Sequence, residues 1–433
     1  MTAPLLQLAL LLGAFLAFMA FGVPVFFAMG LSSLVFILAT GGQVPLNVLA
    51  TSLIQGIDSF AFLAIPFFFL AGDLMNTGGI TRRLLAFAAA LVGHIRGGLS
   101  HVAILGTMVF SGVSGSAVAD ASAIGTAMIP AMKKENYPPA YAAAVVAAAA
   151  TMGPIIPPSI AFVVFALVTD VSIGRLFVAG AIPGLLMGVY LLITAYWIAR
   201  RRDFPKAQRA SAVEVGRRFA DALLALAMPA IIIGGIVGGA VTPTEAGALA
   251  AVYAGLVGVF VYRELKPRDI TRIVTESAIN SGLILLMIAA SGIFSWLVAN
   301  LALGETLVKF FTSLTDSRWL MLVIINVFFL LWGLALEPAV ALITLVPLLV
   351  PVAKAYNIDL VQLGVVVVLN LMIGQLTPPS GVITFLTAQI ANAPLEKVFR
   401  EAWPFTLALI AVLALVTFIP VLALWLPEVL MGK

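Results

Sequence analysis

The residues best equipped to bind something lie in two short stretches, GPIIPPS from Gly153 to Ser159 and GQLTPPS from Gly374 to Ser380. Proline lacks an N–H and clashes with the turn before it. Each stretch should therefore break a helix, freeing carbonyls before the break and amides after it. Gly153 allows close approach or unusual dihedrals there. Freed carbonyls can hold a small cation, and the positive ends of the half-helices that follow can face an anion. Ser159 and Ser380 open those second halves, and their hydroxyls could cap a helix or touch a ligand.

A glycine-bearing segment stands 41 residues before each break, Gly112 before Gly153 and Gly333 before Gly374. A first ion site is expected between Gly112–Ser116 and Gly153–Pro157. Its counterpart would use Gly333, Gly374 and Thr377. Carbonyls and hydroxyls suit a hard cation, so sodium fits and a transition metal does not. Two carboxylates accompany the glycine segments, Asp120 in the first and Glu337 in the second. A carboxylate inside a membrane is costly and often functional. Each of these could serve transport, face a watery cavity or hold a backbone amide. Ser116, Asp120, Ser159, Glu337 and Ser380 are therefore candidate substrate or tip contacts. Arg175 could anchor at the interface or meet substrate.

Other chemistries lack their parts. The chain has no cysteine and two histidines, His94 and His101, with no nucleophile and acid at useful spacing. No glycine loop carries the lysine of a nucleotide-binding motif, which argues against an ATP-driven pump. A passive channel and a membrane-embedded enzyme are weaker alternatives.

The elements that must position these residues are helices in lipid. Of 433 residues, 62% are hydrophobic and 10% charged. A soluble domain carries about 25% charge, and apolar runs of about 20 residues can each cross a bilayer. The expected fold is an all-α polytopic membrane protein. No basic region or cleavage site precedes the first apolar run, so that helix is expected to be retained. Between Ala199 and Ala220, seven cations face two acids, a net of +5. The positive-inside rule places that loop in the cytoplasm, a cheaper explanation than nucleic acid.

The expected division is residues 1–75 as N-terminal scaffold helices, with 51–74 one helix bearing Asp58 and Asp73, and 76–99 as an amphipathic arm. Residues 100–199 hold a re-entrant hairpin and a broken helix. Residues 200–300 hold the basic loop and further scaffold helices. A second arm at 301–318, a second hairpin and broken helix at 319–395, and one C-terminal helix at 396–433 follow. Irregular backbone at membrane depth must be buried in protein, which puts both hairpins inside the molecule.

The two halves repeat. At an offset of 221 residues, Gly112 meets Gly333, Pro130 meets Pro351, Asn136 meets Asn357 and Pro183 meets Pro404. The first copy is flanked by more basic residues than the second, so the repeat reads as inverted. Inverted repeats with two re-entrant hairpins and two discontinuous helices are the architecture of secondary transporters.

The runs FSGVSGSAVADASAIGTAMIPAM, TMGPIIPPS, VTPTEAGALAAVYA and GQLTPPSG resemble the large membrane subunit of tripartite ATP-independent periplasmic (TRAP) transporters. The resemblance covers essentially the whole chain. It implies an elevator-type, sodium-coupled importer of the ion-transporter superfamily in a bacterial inner membrane, moving an organic acid such as a C4-dicarboxylate, sialic acid or other sugar acid. Carried onto this chain, it puts a first sodium site at Ser111, Ser114, Gly153, Ile156 and Pro158, and a second at Gly333, Gly374 and Thr377. In TPTEA, Thr242 to Ala246, it leaves Glu245 to brace the scaffold or a domain interface. It implies a separate small membrane subunit of about four helices, a periplasmic substrate-binding protein and membrane lipid as partners. It implies no cofactor beyond sodium as coupling ion. A stand-alone sodium/dicarboxylate symporter without a binding protein is the alternative reading.

Overall fold

The computed structural model describes residues 2–40, 44–300, 303–334, 336–379 and 381–432. All regular structure among them is helical. Seven helical stretches are long and apolar enough to cross a membrane.

The chain starts with α1 (Thr2–Ala20), α2 (Val25–Ala39), α3 (Asn47–Gln55) and α4 (Ala64–Thr77). The single helix expected over 51–74 is instead split between α3 and α4, with Asp58 in the gap and not at a helix end. The reason is a close crossing. A Cβ on Gly56 would stand 3.1 Å from the Ala289 carbonyl and 3.3 Å from Gly292 Cα. A glycine there lets two backbones touch, and the chain turns at that contact.

The amphipathic arm is α5 (Ile80–Val92). Glu264 holds it, accepting 2.8 Å bonds from both Arg82 and Arg83. Next come α6 (Gly98–Ser114), α7 (Ala117–Lys134), α8 (Pro139–Ala150), α9 (Ile160–Thr169) and α10 (Ile173–Arg201). After the basic loop lie α11 (Ala212–Val237), α12 (Pro243–Leu256) with a π-helical turn, and the long α13 (Pro267–Asn300). The second arm, α14 (Leu303–Leu314), leads into α15 (Arg318–Gly333) through a 116° bend. Then follow α16 (Pro338–Ala355), α17 (Leu360–Gly374), α18 (Val382–Ala391), α19 (Leu395–Phe418) and α20 (Val421–Met431). The expected single C-terminal helix is thus two. Pro420 lies between them, and proline cannot donate the N–H that would continue α19.

The starts of α6 to α10, at 98, 117, 139, 160 and 173, recur at 318, 338, 360, 382 and 395 in α15 to α19, offsets of 220 to 222. In the first set the strings of Ala and Val in α8 let neighbours approach from every side, and residues Tyr141 to Ala150 are all buried. Its counterpart α17 is buried from Val361 to Gly374. Helix α8 packs on α6, α7, α18 and α19, and α17 packs on α9, α10, α15, α16 and α19. The two sets therefore share one interior. Helices α2, α3, α4, α12 and α13 pack together beside it, with α4 also against α12.

Candidate functional site

The first break begins where α8 runs into the prolines. Residues 151–159 are non-helical turns, and the Pro157–Pro158 bond is cis. Ser159 closes the break. Its hydroxyl donates to the Pro154 carbonyl at 2.5 Å and accepts from the Phe162 amide at 3.1 Å, capping α9. Of its two expected roles, capping is the one observed.

The tip between α6 and α7 docks onto this break. Gly115 has φ +62°, a left-handed conformation that favours glycine. A Cβ on it would stand 2.6 Å from the Pro158 carbonyl oxygen. The Ile160 amide donates to the Gly115 carbonyl at 3.4 Å. Ser116 caps α7 by accepting from the Ala119 amide at 3.4 Å.

Inside this junction lies Asp120, fully buried. Ser111 Oγ donates to Asp120 Oδ2 at 2.5 Å, and Ser114 Oγ donates to Asp120 Oδ1. A Cβ on Gly153 would come 2.6 Å from Asp120 Oδ2 and 3.2 Å from the Ala117 amide nitrogen. The structure thus unites Ser111, Ser114, Asp120 and Gly153 in one closed cluster. Both serine hydroxyls donate to the carboxylate, and Ser114 Oγ also accepts from the Ser116 amide at 3.4 Å. A buried carboxylate needs such partners. The Ile156 side chain lies against Gly184 of α10, where a Cβ would stand 2.5 Å from its Cγ1.

The second junction has the same plan and different chemistry. Gly374 meets Gly333 so closely that a Cβ on Gly374 would stand 2.4 Å from the Gly333 carbonyl carbon. Thr377 Oγ1 donates to the Ile373 and Gly374 carbonyls at 3.1 and 3.2 Å. Gln375, 3% exposed, reaches across to the tip, its amide donating to the Leu336 carbonyl at 3.4 Å. Thr384 Oγ1 donates to the Leu376 carbonyl at 2.9 Å. Ser380 lies outside the described residues. Glu337 opens α16 and accepts from the Val340 amide at 3.3 Å. Offset by 221, its equivalent is Ser116, and Asp120 has Ala341 as its equivalent. The two carboxylates are therefore not a pair.

Between the tips and the neighbouring helices is a cavity of about 460 Å³. The first tip contributes Ser114, Ser116 and Ser122, and the second contributes Glu337. Helix α4 contributes Asp73 and Asn76, and α13 contributes Asn280. Asp73 accepts a 2.8 Å bond from Ser277 of α13. Sequence reading missed Asn280 and Gln375. Gln375 had a signal, since it replaces a proline within the repeated motif. Asn280 had none.

Three expected residues lie elsewhere. Thr242 and Glu245 form a capping box at the start of α12. The Thr242 amide donates to Glu245 Oε2 at 2.7 Å and the Glu245 amide donates to Thr242 Oγ1 at 3.3 Å. Glu245 is exposed, and its hydrogen bonds stay within the start of α12. Arg175 sits in the first turn of α10, which Ser172 caps.

The comparisons with known proteins agree with this plan. The family described as "Tripartite ATP-independent periplasmic transporter, DctM component" matches residues 12–422. The sialic acid TRAP transporter large permease protein SiaM of Vibrio cholerae is 40% identical over 411 residues, covering 95% of this chain and 96% of that protein. The C4-dicarboxylate TRAP transporter large permease protein DctM of Pseudomonas aeruginosa is 39% identical over 380 residues, covering 88% and 89%. The solved YdaH transporter of Alcanivorax borkumensis shares the fold, with a TM-score of 0.64 at 14% identity over 86% of this chain and 88% of that one. Permeases of the matched family are multi-pass inner-membrane secondary transporters, not enzymes. They work with a small membrane subunit and a periplasmic binding protein. On a match that runs almost from end to end, this chain belongs to the DctM family, the large permease component of the TRAP transporters.

Proposed function

We propose that this permease imports an organic acid by sodium-coupled elevator transport, receiving it from a periplasmic binding protein. C4-dicarboxylates, sialic acids and related sugar acids are the substrate class, which the names of its relatives suggest. The observation that carries the reading is the meeting of both tips, Ser114 and Ser116 of the first and Glu337 of the second, on one cavity whose other wall belongs to α4 and α13.

The first sodium ion would bind at Ser111, Ser114 and Asp120 with carbonyls of Gly153, Ile156 and Pro158. The cluster supports this because its oxygens are hard donors gathered at one buried carboxylate. The second would use carbonyls near Gly333 and Gly374 with Thr377. The Gly333–Gly374 contact supports this by bringing the backbones of the two segments close together. Sodium in both places would draw each tip against its break. An anionic substrate would then sit in the cavity, with its charge facing the amide ends of α7 and α16.

The matching starts of α6–α10 and α15–α19 support an internal inverted repeat. These helices would form the moving transport domain. Helices α1–α4 and α11–α13 would form the scaffold, with α5 and α14 as arms. Sliding of one set past the other would carry the cavity between the two faces of the membrane. Each net positive charge carried inward gains about 2.3 kcal/mol per 100 mV, so several sodium ions with one monoanion would be driven by potential and concentration together.

The test is uptake in proteoliposomes holding this chain with its small subunit, with or without the binding protein, and with or without an inward sodium gradient. Labelled dicarboxylates, sialic acids and sugar acids form the panel. Uptake that needs both sodium and binding protein is expected. Sodium-independent uptake of the right substrate would remove the two ion sites from the mechanism.

A further inference from the structure

The cavity of about 460 Å³ that both tips line has a direction, and charge identifies it. Its scaffold wall is the end of α4, with Gly72, Asp73 and Asn76, and the part of α13 around Asn280. Helix α4 leads to Arg82 and Arg83, which both pair with Glu264 in the segment ahead of α13. That segment and the start of α13 hold Arg263, Lys266, Arg268 and Arg272 against Glu264 and Asp269. The positive-inside rule puts both helix ends at the cytoplasmic face. Asp73, one turn from the end of α4, therefore stands on the cytoplasmic side of the tips. Asn76, Ser122 and Asn280 in the lining are all exposed, and the cavity opens toward the cytoplasm.

Asp73 is held close to the first tip. A Cβ on its neighbour Gly72 would stand 3.5 Å from both Cα and the carbonyl oxygen of Ser114. Ser277 Oγ of α13 donates to Asp73 Oδ2 at 2.8 Å, which fixes the carboxylate in the wall. Arg272 and Glu276 act on Asp73 from α13, and they offset each other through their own 3.1 Å pair. Among the described residues no lysine, arginine or histidine lines the cavity. None lines the smaller cavity beside it, of about 130 Å³, which shares Ser116 and Glu337. An anion here meets the Asp73 carboxylate with no cationic side chain to offset it.

We propose that Asp73 drives substrate release. Fixed on the scaffold, its carboxylate repels an anionic substrate once the tips have carried it to the cytoplasmic side. Like charges in a partly buried site repel with little screening. Glu337 is part of the second tip and moves with it, so its charge accompanies the substrate at both faces. Asp73 stays with α4, so it lowers affinity at the cytoplasmic face alone. A difference in affinity between two states is what biases a carrier toward unloading in one of them. The inference rests on the elevator reading above.

The test uses this chain with its small subunit in proteoliposomes, fed from outside by the binding protein under an inward sodium gradient. Sialic acid or succinate, whichever the uptake panel supports, is also placed unlabelled in the lumen. Only complexes with the periplasmic face outward accept substrate from the binding protein, so the lumen stands for the cytoplasm. The readout is the lumenal concentration that halves the initial uptake rate. Asp73→Asn should lower it about tenfold, with the half-saturating sodium and external substrate concentrations unchanged. Ser277→Ala, which removes the hydrogen bond and keeps the charge, should hold it near the wild-type value. An unmoved value in Asp73→Asn, or an equal shift in Ser277→Ala, overturns the proposal and leaves the elevator reading standing. Absence of sodium-driven wild-type uptake would overturn that reading and this inference with it. Should Asp73→Asn fail to fold, Asn280→Asp decides. It adds a carboxylate to the same wall and should raise the half-inhibiting concentration; an unchanged value overturns the proposal.

Discussion

Gly153 lies against the carboxylate of Asp120, where a Cβ would stand 2.6 Å from Oδ2. The contact joins the break after α8 to the hairpin tip. Gly153→Ala must displace either the carboxylate or the backbone at Ser116 and Ala117, 3.1 and 3.2 Å away. We expect sodium-driven uptake in proteoliposomes to fall at least about tenfold, the loss set by roughly 1.4 kcal/mol of misplaced contact. Wild-type rates in Gly153→Ala would separate this contact from ion binding.

Asp120→Asn keeps the shape of the group that Ser111 and Ser114 hold and removes its charge. The half-saturating sodium concentration is expected to rise, with the substrate KM at saturating sodium nearly unchanged. Asp120→Ala also strands two buried hydroxyls, at about 1–3 kcal/mol each, and should lower the unfolding midpoint as well. Unchanged sodium dependence in Asp120→Asn would take Asp120 out of the ion site.

The second junction predicts an order. A Cβ at Gly374 meets the Gly333 backbone at 2.4 Å, and a Cβ at Gly333 meets Leu371 Cα at 3.2 Å. Backbone cannot move aside as a flexible side chain can. Gly374→Ala should therefore reduce folded yield and uptake more than Gly333→Ala, a ranking that size-exclusion profiles and initial rates would check.

Glu337 lines the cavity and accepts the Val340 amide. Glu337→Gln retains an acceptor oxygen for that cap and removes a negative charge from the path of an anion. A several-fold lower substrate KM is expected, with sodium dependence unchanged. A raised half-saturating sodium concentration would instead make Glu337 an ion ligand.

Thr242 and Glu245 serve as the contrast. Their capping box is local to α12. Thr242→Ala should cost about 0.5–2 kcal/mol of stability and leave the uptake KM alone. Glu245→Gln preserves the box and should behave like the natural protein. A KM change in either would tie TPTEA to substrate.

Much of the architecture was legible in the order of residues. Residence in a membrane follows from apolar run length, because unpaired backbone groups are intolerable in hydrocarbon and helices pair their own. The breaks after α8 and α17 follow from the prolines beyond them, Pro157 and Pro158 in one and Pro378 and Pro379 in the other, whose missing N–H acts within one turn. The recurrence of helix starts at offsets of 220 to 222 follows from glycines and prolines held at 221. The gap between α3 and α4 was not legible, because it arises where Gly56 meets Gly292, 236 residues on.

The partners of polar groups were decided by the tertiary structure. Ser159, Glu337 and Glu245 all read as candidate ligand or interface groups, and each bonds a helix start within three residues, whereas Asp73 of α4 meets Ser277 of α13 and Gln375 reaches the Leu336 carbonyl only through the fold. Asp120 was legible as a costly carboxylate, and its position against Gly153 depended on how the first hairpin docks on the first break. Asn280 joined the cavity only because α13 crosses beside both tips. A proline acts on its own turn and its effect can be read where it stands. A buried polar side chain must be satisfied by whatever the fold brings to it, and for Gln375 and Asp73 that neighbour lies 39 and 204 residues away.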